Sequence, residues 1–130
     1  MERREKMGKG KILLIDDNEL LQDLGKDILE HLGYTPIIAS GGEEGIEIYS
    51  REKDEILAVL LDVVMPGLGG LEVFKRLKEI NPTVKVLVIS GYSEEKRAGE
   101  LLEEGALGFI QKPFKIGELS QKLQEILGEK

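Results

Sequence analysis

The sequence predicts a doubly wound parallel α/β sheet of five strands and five helices, and three observations carry that prediction. Short apolar runs alternate five times with amphipathic stretches at helical spacing, the rhythm of a chain that crosses repeatedly from strand to helix. One run, Ile56 to Leu61, is apolar throughout, as befits a strand covered by helices on both faces. Asp16, Asp62, Ser90 and Lys112 stand directly after four of the five runs. Parallel sheets of this kind bind ligands beyond the carboxyl ends of their strands.

The first strand is Lys11 to Ile15 (KILLI), and behind it Leu21, Leu24, Ile28 and Leu32 recur at helical spacing until Gly33 closes the helix. Thr35 to Ala39 is the second strand, and Pro36 assigns it to an edge because proline cannot donate to a ladder. Ser40 and Glu43 have the spacing of a capping box for a helix carrying Ile46 and Tyr49. The third strand, Ile56 to Leu61, leads to a helix lined by Leu71, Phe74 and Leu77. That helix stops at Asn81 and Pro82, since proline disfavours a helical residue before it. Val84 to Ile89 is the fourth strand, and Ser93 is placed to cap a fourth helix that ends near Gly105. Leu107 to Gln111 is the fifth strand, and Ile116, Leu119, Leu123 and Ile126 form the core stripe of the last helix.

These elements make one domain over residues 11–128, preceded by a basic lead-in or linker at 1–10. A chain of 130 residues buries about two thirds of the surface its unfolded form exposes, so it needs no staples. The 25 acidic residues outnumber the 18 Lys and Arg, and the formal charge of −7 argues against nucleic acid as a direct partner. Cysteine is absent, which excludes disulfides and Cys-based zinc or redox sites, and the single histidine, His31, leaves any histidine chemistry to a partner. The longest apolar run falls far short of the roughly 20 residues of a membrane span. No signal-peptide core appears at the amino terminus, so the expected location is cytoplasmic, without membrane contact by this chain.

In the order 2-1-3-4-5, strands one and three are neighbours, and Asp16, Asp17 and Asp62 meet. Three close carboxylates repel one another unless some are protonated or a cation neutralises them. Oxygen ligands with no Cys or His nearby suit a hard ion, and Mg²⁺ fits best. Lys112, pointing into such a pocket, would hold Asp62 ionised and grip an anionic oxygen of a ligand. Pro113 behind it forces an abrupt exit from the strand. Taken singly, each of these residues is an ordinary cap, turn or snorkelling side chain; Asp16, Asp17, Asp62, Ser90 and Lys112 together at the ends of adjacent strands are not.

The stretches "LLIDDN", "LLDVVMPGLGG", "VISGYS" and "GFIQKPF" resemble the four motifs of response-regulator receiver domains, over about residues 11 to 128. The resemblance implies the flavodoxin-like (βα)5 fold, whose strand order 2-1-3-4-5 is the one known for chemotaxis receivers. It implies that Asp62 accepts a phosphoryl group from a phosphohistidine on a sensor histidine kinase or its phosphotransfer domain. Asp17, Asp16, Asp62 and the carbonyl of Val64 would hold Mg²⁺, while Ser90 and Lys112 would bind phosphoryl oxygens. Phe109, three positions before the lysine, falls where the family keeps an aromatic switch residue. Phosphorylation would draw Ser90 inward and admit the Phe109 ring. The face of the fourth helix, fifth strand and fifth helix would then change for a downstream protein or a second copy. Bulky Val64 and Tyr92, where many relatives carry polar side chains, imply slow hydrolysis of the acyl phosphate.

Three rivals fare worse. A phosphatase of the haloacid-dehalogenase type needs a second acid two positions after its nucleophile, but Val64 follows Asp62 and Asn18 follows Asp16. A flavodoxin-like carrier would cradle phosphate after the first strand with amides and hydroxyls, not with Asp-Asp-Asn. The intact set of Asp16, Asp17, Asp62, Ser90 and Lys112 argues against a purely structural pseudo-receiver. The sequence fits both a free-standing receiver and one from a hybrid histidine kinase.

Overall fold

The computed structural model describes residues 9–128 except Pro66, Tyr92 and Ser93. Five strands, β1 (Gly10–Ile15), β2 (Tyr34–Ala39), β3 (Ile56–Asp62), β4 (Val86–Ser90) and β5 (Gly108–Gln111), alternate with five helices. These are α1 (Glu19–His31), α2 (Gly42–Glu52), α3 (Gly70–Ile80), α4 (Glu95–Glu103) and α5 (Ile116–Leu127). Every pairing is parallel and the order is β2-β1-β3-β4-β5, as the sequence predicts.

The sheet separates two apolar layers because neighbouring residues on a strand point to opposite faces. Leu13, Ile15, Val59, Leu61, Val86 and Val88 pack beneath α2, α3 and α4. Ile12, Leu14, Leu60, Leu87, Ile89 and Ile110 pack beneath α1 and α5. The helical stripes are wider than the expected residues: Leu29 on α1 and Val73 on α3 are fully buried as well. Ile116, by contrast, does not join the core. As the first residue of α5 it is 41% exposed, and Phe114 on the preceding connection is buried beside Leu119 and Leu123 instead.

Some boundaries shift for local reasons. Gly10, expected in the lead-in, opens β1 because it pairs with Tyr34, which likewise extends β2; residues 1–8 lie outside the described set. β4 begins at Val86 because the Val84 amide is taken by the Asn81 carbonyl in a turn after α3. Its other end extends to Ser90, which pairs with Gln111, just as β3 extends to Asp62, which pairs with Ile89. Two polar residues expected just beyond their strands are thus on the last rungs of the ladder.

The helix signals divide in the same way. Asn18 caps α1 by accepting a hydrogen bond from the Leu21 amide, and Gly33, at φ 99°, follows the helix in the left-handed region that glycine adopts without strain. The expected box of Ser40 and Glu43 does not form. Gly41 is the cap residue, one position later, so the acid that reaches back to the Ser40 amide is Glu44, at 2.8 Å. The cap expected from Ser93 falls outside the described residues; the residue flanking α4 is Glu94.

Candidate functional site

Each polar residue after or at the end of a strand is held by backbone pairing before its side chain is considered. The Asp16 amide donates to the Ala39 carbonyl and extends the β1–β2 ladder by one rung. The Lys112 amide donates to the Ser90 carbonyl at 2.8 Å and does the same for β4–β5. Asp62 and Ser90 sit inside their strands. Beyond Asp62 the chain turns under α3, and the approach is close: a Cβ on Gly70 would lie 2.8 Å from the Cα of Val63. Glycine there lets the helix start against the loop that follows the carboxylate.

The carboxylates of Asp16, Asp17 and Asp62 converge, with one oxygen from each within 4.8 Å of the others. Asp16 and Asp62 are buried, 0% and 1% exposed, whereas Asp17 reaches solvent. One Asp16 oxygen accepts from the Asn18 amide at 2.9 Å. The Lys112 ammonium enters between the two buried acids, 3.2 Å from Asp62 Oδ2 and 3.6 Å from Asp16 Oδ2. Burial, followed by the charge of Asp16, raises the Asp62 carboxyl from its usual 3.8 to about 6, against the pull of Lys112 and the Val64 amide. Lys112 therefore does the work expected of it only in part, and leaves Asp62 ionised at neutral pH but not far below.

Asp16 Oδ2 and Ser90 Oγ are buried without a hydrogen-bond partner. A buried carboxylate oxygen with no hydrogen bond and only the Lys112 ammonium 3.6 Å away, beside two further carboxylates, is chemically matched to a hard divalent cation, which takes oxygen ligands and neutralises the cluster. An orphaned hydroxyl at the same strand ends is matched to an anionic oxygen. The expected Mg²⁺ site thus fits the residues present.

The other expected residues divide. Val64 is 38% exposed, and its amide donates to Asp62 Oδ1 at 3.4 Å. Phe109 stays out of the cluster: it is 39% exposed and lines, with Gln111, Glu118 and Lys122, a surface cavity of about 420 Å³ along β5 and α5. Tyr92 lies outside the described residues.

Two contacts were not legible in advance. The Glu94 carboxylate accepts from the Gly91 amide at 2.6 Å and closes the loop after β4. Gln22 on α1 donates to the Asp16 carbonyl at 2.6 Å and to Ser40 Oγ at 3.3 Å. The end of β2 is therefore tied to the acidic loop. Gln22 sits one helical turn after the cap Asn18, a position where a polar side chain faces back to the loop, and that spacing was the available signal.

A five-stranded doubly wound domain with an acidic, lysine-bridged pocket where its strand order reverses is the class these features define. Residues 12–124 match the model of the response regulator receiver domain, and the chain belongs to that family, the receivers of two-component signalling. Over 117 residues it is 32% identical to sporulation initiation phosphotransferase F of Bacillus subtilis, covering 90% of this chain and 93% of that protein. It is also 32% identical to the sensor kinase CckA of Brucella abortus over 120 residues, 92% of this chain but only 13% of the kinase. Among solved structures, the CheX-CheY-BeF3-Mg+2 complex from Borrelia burgdorferi superposes with a TM-score of 0.86 at 25% identity, over 95% of this chain and 93% of that one.

Proposed function

We propose that Asp62 is the phosphoacceptor of a phosphorelay, taking its phosphoryl group from a phosphohistidine on a sensor histidine kinase or phosphotransfer domain. The observation that carries this reading is the placement of Lys112 across two buried carboxylates, 3.2 Å from Asp62 and 3.6 Å from Asp16, beside the exposed Asp17. In the transfer an Asp62 oxygen attacks phosphorus, the P–N bond to the partner's imidazole breaks, and its electron pair stays on the imidazole nitrogen. Lys112 and Ser90 donate to the phosphoryl oxygens, where fixed donors are worth most as charge is redistributed. Asp16, Asp17, Asp62 and the Val64 carbonyl would hold Mg²⁺, which when bound offsets the charge of acceptor and phosphoryl group.

The chain is then a signalling receiver that assists its own phosphorylation and dephosphorylation, rather than an enzyme with turnover. Ser90 and Phe109 form the switch: the outward ring of Phe109 moves in once the Ser90 hydroxyl is drawn to the phosphoryl group. The face of α4, β5 and α5 then presents a new surface to a downstream protein or a second copy. No helix among the described residues is long and apolar enough to cross a membrane. A cytoplasmic place follows from the proposed phosphoryl donor, a sensor histidine kinase or its phosphotransfer domain. The similarity to both a whole phosphotransferase and a small part of a kinase supports the free-standing and the hybrid contexts alike.

Incubation with acetyl phosphate and Mg²⁺ is expected to add a single phosphoryl group, seen by intact mass. The Asp62→Ala variant, or omission of Mg²⁺, should abolish the adduct. An adduct that survives in the variant would place the acceptor elsewhere, and a chain that neither labels nor binds Mg²⁺ would be a pseudo-receiver acting by contact alone. Because bulky Val64 flanks the acceptor, the acyl phosphate is expected to be long-lived, and Val64→Asn should shorten its half-life several-fold. Equal decay of the two labelled proteins would remove shielding by Val64 as the cause.

A further inference from the structure

Gln22 is not one of the strand-end residues, yet its amide nitrogen makes a 2.6 Å hydrogen bond to the Asp16 carbonyl. A carbonyl oxygen only accepts, so the side chain must turn its NH₂ group toward it. That carbonyl belongs to the peptide plane joining Asp16 to Asp17. Rotating the plane would swing the Asp17 carboxylate relative to the two buried acids. The repulsion among the three carboxylates, one oxygen of each within 4.8 Å of the others, is offset by Lys112 only at Asp16 and Asp62, and it favours such a rotation when no divalent cation is bound.

The same nitrogen reaches Ser40 Oγ at 3.3 Å, and the Ser40 amide is held in turn by Glu44 Oε1 at 2.8 Å. On the other side, the backbone N–H of Gln22 donates to the Asn18 carbonyl as part of α1, and the Asn18 backbone N–H holds Asp16 Oδ1. Gln22 therefore joins the loop after β1 to the corner after β2 and to the first turns of α1 and α2. We propose that Gln22, braced by Ser40, is a positioning residue that holds the Asp16–Asp17 peptide in the orientation required for divalent-cation binding. This rests on the reading of the acidic cluster as a Mg²⁺ site. Groups that orient ligands from outside the coordination sphere typically change metal affinity by about 10- to 100-fold when removed.

The test is Mg²⁺ titration of the full chain by calorimetry, alongside thermal melting in EDTA. Gln22→Met keeps the length and helix compatibility of the side chain and removes the donor. It is expected to weaken Mg²⁺ binding by about tenfold. Ser40→Ala should weaken it less, and the double variant should lose little more than Gln22→Met alone, because both act through one network. The melting temperature in EDTA should change little for either. Affinity unchanged within about twofold for Gln22→Met, or fully additive losses for the pair, would overturn the proposal. A lowered melting temperature with unchanged affinity would show Gln22 to be a structural bracket only. The parent chain and Asp17→Asn separate the premise from the inference. If the parent binds no Mg²⁺, the metal reading fails and the role of Gln22 with it; if the parent binds and Asp17→Asn does not, the titration of Gln22→Met decides the inference alone.

Discussion

At about pH 8 and without divalent cations, Asp62→Asn is expected to be more stable than the parent chain by about 2–3 kcal/mol, and below about pH 3 the two should be equally stable. The reason lies in the burial of an acid beside another acid. Asp62 is 1% exposed, and its carboxyl is raised from 3.8 to about 6. A carboxyl with a higher pKa in the folded chain than in the unfolded one binds its proton more tightly when folded. Well below 3.8 both states are protonated and folding is unaffected; as pH rises through 3.8 and up to about 6, the folded state loses stability. Above that interval the full cost applies, about 3 kcal/mol for a rise of this size. Asparagine keeps the shape and removes the charge.

Urea denaturation in EDTA at several pH values measures the effect. A variant no more stable than the parent at about pH 8 would show that ionised Asp62 is fully compensated in the fold, contrary to the linkage argument. Mg²⁺ should narrow the gap from the other side. It is expected to bind the folded parent and raise its melting temperature, while the variant, with one ligand fewer, should gain less. A site that destabilises the empty domain is one that a cation and a phosphoryl group can use to shift its conformational equilibrium.

Lys112→Met is expected to slow labelling by acetyl phosphate about 100-fold at neutral pH, and yet to tighten Mg²⁺ binding. Two effects slow the labelling. The phosphoryl oxygens lose a charged donor, and Asp62 loses the cation 3.2 Å away that opposes the rise of its pKa. The pH midpoint of labelling should therefore move upward, which a simple loss of oxygen binding would not produce. Tighter Mg²⁺ binding follows because the lysine competes with the ion for the same two carboxylates, 3.2 and 3.6 Å from its nitrogen. Calorimetry and a pH profile of the labelling rate separate these effects. Weaker Mg²⁺ binding would mean that Lys112 holds the carboxylates in place rather than competing for them.

Much of this was legible in the sequence because periodicity and strand-end chemistry are local. The apolar run of β3, the Pro36 edge strand and the stripes of α1, α3 and α5 follow from where apolar side chains must go. The grouping of Asp16, Asp17, Asp62 and Lys112 followed from one topological fact, that parallel strands deliver their carboxyl ends to the same edge. The errors were also local in origin. Ile116 fits the helical stripe but occupies the first position of α5, and Phe114 enters the core instead. Ser40 has the composition of a cap, but the chain turns one residue later, at Gly41.

By itself, then, the sequence determined the order of elements, the two-sided burial of the sheet and the identity of the acids and lysine at its edge. Only the tertiary structure decided how those charges balance. The position of Asp62 near pH 6 depends on burial and on the distances to Asp16 and Lys112, which no spacing along the chain specifies. Nor does any local pattern join Gln22 on α1 to Ser40 after β2, 18 residues apart. Hydrophobic patterning is written residue by residue, because each side chain has its own preference for water. Electrostatic and hydrogen-bond networks arise between elements that meet only when the chain is folded.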